Sequence, residues 1–147
     1  MKIMNVSVVF DYTGDHVLMC LRKKDPYKGK LNFVGGKVEP GESYPDAAYR
    51  ELKEETGITR GDITLVHLMD MTYHTYGMEI QVFVGKLKHP VSVFGDENEL
   101  LWLPAMGDFT GADRFAGDWN IAHIMEMIRK DMDTILNIDL QEKYHEN

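Results

Sequence analysis

The apolar residues of the 147-residue chain follow two patterns, one typical of strands and one typical of helices. Short apolar runs rich in β-branched residues, bounded by turn residues, predict strands. These runs cover residues 3–10, 17–21, 31–34, 63–73, 78–87 and 100–103. Two segments instead repeat their apolar residues at helical spacing, which predicts helices at 43–56 and 120–136. Strands interleaved with two such helices favour an α/β fold with a mixed sheet covered on both faces.

The first predicted helix carries signals at both ends and one apolar stripe. Ser43 at its start is a candidate N-cap, and Gly57 after its last residue is a natural C-cap. Ala47, Ala48 and Leu52 recur at helical spacing. We therefore expect these three residues to form the side of the helix that faces the core.

The same helix crowds its acidic residues. Glu51, Glu54 and Glu55 stand at i, i+3 and i+4, where like charges cost about 0.2–0.5 kcal/mol per pair. Glu54 and Glu55 also occupy the last turn, at the negative end of the helix dipole, where acids are disfavoured. A divalent cation would remove both conflicts, and clustered carboxylates suit Mg²⁺ or Mn²⁺. The alternative is a solvated acidic face balanced by Arg50 and Lys53.

Composition narrows the range of partners and locations. The net charge of −8 disfavours tight binding to a nucleic acid duplex, and it would repel an anionic substrate unless a local cation intervened. Cys20 is the one cysteine, so no internal disulfide can form. The sequence has neither a membrane span nor a signal peptide pattern. We expect a cytoplasmic protein with one domain over residues 1–140 and a polar C-terminal tail at 141–147.

The segment 36–58 resembles the signature of the Nudix hydrolases. That signature reads Gly, five residues, Glu, seven residues, Arg-Glu, an aliphatic residue, any residue, Glu-Glu, any residue, Gly and an aliphatic residue. The fixed positions are all met, by Gly36, Glu42, Arg50, Glu51, Leu52, Glu54, Glu55, Gly57 and Ile58. One departure is Val34, where a proline usually precedes the two glycines. The resemblance implies an α/β/α sandwich with a central mixed β-sheet.

The resemblance also implies roles for the residues of this segment. Glu51, Glu54 and Glu55 would be carboxylate ligands of Mg²⁺ or Mn²⁺, and the Gly36 carbonyl is a further candidate ligand. Arg50 would orient a neighbouring glutamate, and it could pair with Glu54 at i+4. A metal-activated water would attack phosphorus while a carboxylate takes its proton. Glu54, Glu55 and an acid from a later loop are all candidates for that base.

The later loop precedes the short strand predicted at 100–103. Asp96, Glu97 and Glu99 lie there, before Trp102. MutT-like nucleoside triphosphatases of the family often supply a further metal ligand or base from this place. We expect one of the three acids to contribute, and Asp96 is our candidate metal ligand.

Two substrate contacts follow from the MutT-like resemblance. Arg22 stands at a strand end where such enzymes carry a phosphate-contacting arginine, and a solvent-exposed strand end is the alternative interpretation. Asn120 lies at the start of the second predicted helix, where an asparagine can read a purine. An ordinary N-cap is the alternative for Asn120.

The function that these features predict is Mg²⁺-dependent hydrolysis of a phosphoanhydride bond in a nucleoside triphosphate. An oxidised purine nucleotide such as 8-oxo-dGTP would yield a monophosphate and pyrophosphate. The alternatives are hydrolysis of another nucleoside diphosphate derivative such as ADP-ribose, a Nudix domain that binds a nucleotide or partner without turnover, and an acidic metal-binding helix with no nucleotide role. The complete set of glutamates disfavours the last two. Family members are often dimers, which adds a homodimer to the expectations.

Overall fold

The computed structural model describes residues 1–117 and 120–145, with side chains as far as residue 131 and at residue 134. These residues form one seven-stranded sheet, two α-helices and a short 3-10 turn at His74–Tyr76. The strands are β1 (Lys2–Phe10), β2 (His16–Leu21), β3 (Leu31–Asn32), β4 (Val34–Lys37), β5 (Val66–Tyr73), β6 (Met78–Lys86) and β7 (Glu99–Pro104). The helices are α1 (Tyr44–Thr56) and α2 (Asn120–His145).

The sheet is mixed, and β1 is its centre. β6 runs parallel to β1 along the whole strand, from Lys2 opposite Met78 to Phe10 opposite Lys86. β4 and β2 pair antiparallel with β1, β5 continues the sheet beyond β6, and β3 and β7 pair with β2. The predicted mixed sheet is therefore confirmed.

Alternating residues of β1 divide the interior into two cores. Val8 and Phe10 belong to a core that includes Ile124 of α2, whereas Val9 belongs to a second core with Leu52 of α1. Successive side chains of a strand point to opposite faces, so each helix covers one face of the sheet. This arrangement is the α/β/α sandwich that the sequence predicts.

The caps of α1 agree with their predictions. The Ser43 hydroxyl accepts the backbone N–H of Asp46 at 3.3 Å. Gly57 adopts φ of +82°, and its N–H donates to the Lys53 carbonyl at 2.9 Å. The helix therefore ends at Thr56, one residue after Glu55, so its last turn carries the acidic residues against the dipole.

Three predicted elements have different bounds in the structure. The run at 31–34 divides into β3 and β4, which pair with different strands, so both glycines of Gly35-Gly36 lie inside β4. The run at 63–73 begins as a strand only at Val66, because the N–H of Leu65 donates to the Tyr49 hydroxyl. The second helix continues past 136 to His145. It includes the first five residues of the segment predicted as a tail, and residues 146–147 lie outside the described part of the chain.

No helix within the described residues combines the length and the apolar character needed to cross a membrane.

Candidate active site

An acidic cleft lies beside the C-terminal half of α1. It is lined by three glutamates of α1, by residues of the loop before β7 and by the end of β2. The lining residues are Cys20, Glu51, Glu54, Glu55, Asp96, Glu97, Asn98 and Leu100. We call Asp96 and Glu97 the loop acids. The structure thus brings together four residues that the sequence assigned to a metal site, from two segments about forty residues apart in the chain.

Gly36 adjoins the cleft through Glu51. A Cβ atom on Gly36 would lie 2.3 Å from the carboxyl carbon of Glu51 and 2.4 and 2.6 Å from its oxygens. Only glycine leaves space for that carboxylate. The first glycine of the motif therefore lets α1 bring Glu51 against the backbone of β4, beside a carbonyl that the sequence predicts as a ligand.

Arg50 ties the glutamates of the motif together. Its Nε and Nη2 donate to the two carboxylate oxygens of Glu42 at 2.7 and 2.9 Å. Its Nη1 donates to Glu51 at 2.9 Å and to Glu54 at 3.3 Å, and Nη2 also donates to the Lys37 carbonyl at 3.0 Å. The predicted pairing of Arg50 with Glu54 is confirmed. The bond to Glu51 agrees with the expectation that Arg50 orients a neighbouring glutamate. The two-pronged contact with Glu42 was not foreseen, although Glu42 is a fixed position of the motif.

Hydrogen bonding from Arg50 holds the pKa of Glu42 below its usual value. The same contacts raise the pKa of Arg50 further above neutral pH. Both groups stay charged, so this ion pair gives the loop before α1 a fixed attachment to the helix.

Glu55 is the carboxylate most affected by its surroundings. Burial raises the pKa of Glu55 to about 7, and the charges of Glu51, Glu97 and Glu54 act in the same direction. A hydrogen bond from the Gly35 N–H at 3.4 Å opposes the rise but is outweighed by burial. Desolvation and neighbouring like charges both disfavour the ionised form of an acid. The cleft therefore accumulates negative charge that a cation would neutralise.

The loop that carries the loop acids is anchored on both sides. The N–H of Phe94 donates to the Thr56 carbonyl at 3.0 Å, at the end of α1. The side chain of Asn98 accepts the N–H of Lys23 at 3.2 Å. Between them the chain turns so tightly that a Cβ on Gly95 would lie 2.2 Å from the Asn98 carbonyl oxygen. This turn brings the loop acids to the cleft.

The donor atoms of the cleft fit a hard divalent cation. Five carboxylates line it, and oxygen donors are the preferred ligands of Mg²⁺ and Mn²⁺. Cys20 also lines the cleft, but burial raises the pKa of its thiol to about 11, so it offers no thiolate to a softer metal. Within the described residues no three His, Cys, Asp or Glu side chains already surround one point at metal-binding spacing. A cation would have to draw the carboxylates inward, and Glu54 has room to move because 57% of its side chain is exposed.

The two predicted substrate contacts lie outside the set of residues that line the cleft. The Arg22 Nε donates to the Pro26 carbonyl at 2.7 Å, at the start of the loop after β2. Asn120 begins α2, and its amide donates to the Tyr73 hydroxyl at 3.4 Å. The roles of Arg22 in phosphate binding and of Asn120 in base recognition remain predictions.

An α/β/α sandwich that presents clustered glutamates at one cleft is the arrangement that the resemblance to the Nudix hydrolases implies. The family model of the NUDIX domain matches residues 1–107 of the chain. The chain therefore belongs to the Nudix family.

Relatives and solved structures are similar over different shares of the chain. The ADP compounds hydrolase NudE of Escherichia coli is 32% identical over 99 residues, which are 67% of this chain and 46% of that protein. The oxidized purine nucleoside triphosphate hydrolase of Mus musculus is 28% identical over 148 residues, covering 92% of this chain and 93% of that protein. A structure of a C. elegans Ap4A hydrolase binary complex has a TM-score of 0.69 at 22% identity, covering 91% of this chain and 98% of that one. The chain thus spans less than half the length of NudE.

Proposed function

We propose that this protein hydrolyses a phosphoanhydride bond of a nucleoside triphosphate in a Mg²⁺-dependent reaction that releases a monophosphate and pyrophosphate. The observation that carries the proposal is the cleft in which Glu51, Glu54 and Glu55 meet the loop acids. A cluster of carboxylates with a perturbed pKa in a cleft of a Nudix domain supports a metal site that binds phosphates.

The metal would be held by Glu51, Glu54, Glu55 and the Gly36 carbonyl, with Asp96 as a further ligand. Bound Mg²⁺ would neutralise the anhydride oxygens and favour ionisation of the attacking water.

Arg50 orients Glu51 and Glu54 through its hydrogen bonds, as the family resemblance implies. Because Arg50 occupies oxygens of these two residues, the proton of the attacking water goes to a carboxylate outside its reach. Glu55 is also outside the reach of Arg50, but it is assigned to the metal, as is Asp96, and this leaves Glu97, which lines the cleft and whose charge acts on Glu55. We therefore propose Glu97 as the general base, ahead of Glu54 and Glu55.

Substrate attraction requires positive charge in a chain of net charge −8. The loop after β2 carries Arg22, Lys23, Lys24, Lys28 and Lys30 within nine residues. Lys23 connects this loop to the cleft through its backbone bond to Asn98. We propose that the loop attracts the phosphate chain, with Arg22 as one contact, and that Asn120 reads the base.

A second candidate substrate is an ADP derivative such as ADP-ribose. It is favoured by the 32% identity to a protein named ADP compounds hydrolase. Its products would be AMP and a phosphorylated sugar, so release of pyrophosphate distinguishes the first candidate from the second.

A substrate panel with Mg²⁺ tests the proposal. Purified protein is incubated with canonical and oxidised nucleoside triphosphates, ADP-ribose and dinucleoside polyphosphates, and products are separated by ion exchange. Pyrophosphate and a monophosphate from a triphosphate support the first candidate, and AMP from ADP-ribose supports the second. The Glu54→Gln variant, purified in the same way, controls for contaminating hydrolases. Nucleotide binding without products across the panel would leave a binding domain as the function.

A further inference from the structure

Three polar side chains are buried in the face of the sheet that α1 covers. Asn5 and Ser7 of β1 and Gln81 of β6 have exposed fractions of 2%, 1% and 1%. They lie on the α1 side because they alternate with residues of the α2 core, such as Val82. Buried interior strand positions are normally apolar, so this group is unusual.

Asn5 is the member that reaches the active site. It stands opposite Gly36 in the pairing of β1 with β4 and opposite Gln81 in the pairing of β1 with β6. Its side-chain oxygen accepts the N–H of Gly36 at 3.2 Å. Gly36 is thus enclosed between the Asn5 amide and the carboxylate of Glu51, which would lie 2.3 Å from a Cβ on this glycine.

The adjoining residue makes the contact between the two strands still tighter. A Cβ on Gly35 would lie 2.0 Å from the carbonyl oxygen of Asn5. Because the backbones of β4 and β1 approach so closely here, and Asn5 also bonds the Gly36 N–H, a shift at Asn5 would displace Gly36 and with it the space that Glu51 occupies.

Burial of these three polar side chains lowers the stability of the folded protein. The amide nitrogen of Asn5, the hydroxyl of Ser7 and the amide oxygen of Gln81 have no hydrogen-bond partner within the described residues. The bond to Gly36 sets the orientation of Asn5, so its NH₂ cannot turn away to find another acceptor. An unsatisfied buried polar atom lowers stability, and an apolar residue of similar shape would avoid that cost. A residue that breaks a packing rule beside a cleft is typical of a functional position.

We propose that Asn5 is a positioning residue of the metal site. It holds the backbone at Gly36 in place, so that the Gly36 carbonyl and the Glu51 carboxylate can bind the same cation. This inference rests on the proposed function, because it assumes that Gly36 and Glu51 are ligands. It adds a residue of β1, outside the motif at 36–58, to the machinery of the site.

Metal binding measured without substrate tests the inference. Asn5→Leu is compared with Ser7→Val, a matched control because Ser7 is equally buried on the same face of the same strand and makes no bond to Gly36. Mn²⁺ affinity is measured by calorimetry, and thermal unfolding is followed in EDTA. We expect Asn5→Leu to weaken Mn²⁺ binding at least about tenfold, as loss of a ligand-orienting hydrogen bond does. Its Tm should stay within a few degrees of that of Ser7→Val, and kcat should recover partly at higher metal concentration.

Wild-type Mn²⁺ affinity in a folded Asn5→Leu protein would overturn the inference. If that variant does not fold, the side-chain amide resonances of Asn5 in the wild-type protein are followed by NMR during Mg²⁺ titration. Displacement at the same Mg²⁺ concentrations as the Gly36 N–H supports the positioning role, and unmoved Asn5 resonances overturn it. A wild-type protein that binds Mn²⁺ yet hydrolyses nothing in the panel would defeat the proposed function and leave the positioning role standing.

Discussion

Arg50 and Glu42 form a two-pronged ion pair, with Nε and Nη2 at 2.7 and 2.9 Å from the two carboxylate oxygens. The pair joins the helix that carries the glutamates to the loop that precedes it. Because the third guanidinium nitrogen bonds Glu51 and Glu54, one side chain sets the relative positions of three glutamates of the motif. A planar fork of this kind is geometrically specific in a way that a single ammonium group is not.

Replacing Arg50 with Lys should therefore impair catalysis although it keeps the charge. We expect kcat to fall at least about tenfold, since Lys cannot bond both oxygens of Glu42 and reach Glu51 together. Arg60→Lys is the matched control, because Arg60 pairs with Asp46 on the surface, where their side chains are 58% and 63% exposed. Equal steady-state kinetics in the two variants would contradict the role assigned to Arg50.

Gly36→Ala should disrupt the cleft through steric displacement alone. The new methyl group would occupy the space of the Glu51 carboxylate, so this side chain would have to leave its position. Misplacement of about 1 Å at a catalytic group can cost about 100-fold, and we expect a loss of that order in kcat/KM. Gly61→Ala serves as the control, because the nearest atom to a Cβ there is the Thr59 hydroxyl at an ordinary 3.7 Å. A fully active Gly36→Ala enzyme would exclude the close packing of Gly36 against Glu51.

The parts of the site that could be predicted from the sequence depend on local geometry. Glu51, Glu54 and Glu55 share a face because helical spacing alone decides it, and the caps of α1 follow from Ser43 and Gly57 in the same way. Alternate side chains of β1 are buried in two different cores, which likewise follows because successive side chains of a strand point to opposite faces.

The parts that were missed depend on contacts between distant segments. The bond between Asn5 and Gly36 joins residues 31 positions apart, and it exists only because β4 pairs with β1 in one particular register. The pairing of Glu42 with Arg50 depends on the conformation of the loop before α1, and hydrophobic periodicity does not predict the conformation of a loop. The division of residues 31–34 into two strands has the same origin, since β3 and β4 pair with different neighbours.

The two loop acids, Asp96 and Glu97, should contribute unequally to catalysis. Glu97 is among the groups that raise the pKa of Glu55, so we expect Glu97→Gln to lower kcat more than Asp96→Asn does. Removal of a general base costs about 100-fold or more, whereas loss of one ligand among several is partly repaired by added metal. The two variants are compared over a Mg²⁺ titration. Recovery of Glu97→Gln but not of Asp96→Asn at high Mg²⁺ would reverse the assignment.

The stability of the metal-free protein should fall as the pH rises, because Glu55 is an acid whose folded-state pKa is raised from 4.5 to about 7. Below pH 4.5 the residue is neutral in both states and contributes no difference. Between pH 4.5 and 7 the unfolded chain loses this proton while the folded protein retains it, so the unfolded state gains stability relative to the folded state. Above pH 7 this loss of folding stability is complete.

The Glu55→Gln variant removes the charge at nearly constant shape. In EDTA we therefore expect this variant to unfold at a higher Tm than the wild-type protein at pH 8, with a smaller gain at pH 5. Excess Mg²⁺ should abolish the gain at pH 8, because the cation neutralises the carboxylate that the variant lacks. Glu126→Gln, at an exposed position of α2, should change Tm equally little at both pH values. An increase in Tm for Glu55→Gln that is the same at pH 5 and pH 8 would show that burial of the Glu55 charge does not destabilise the folded protein.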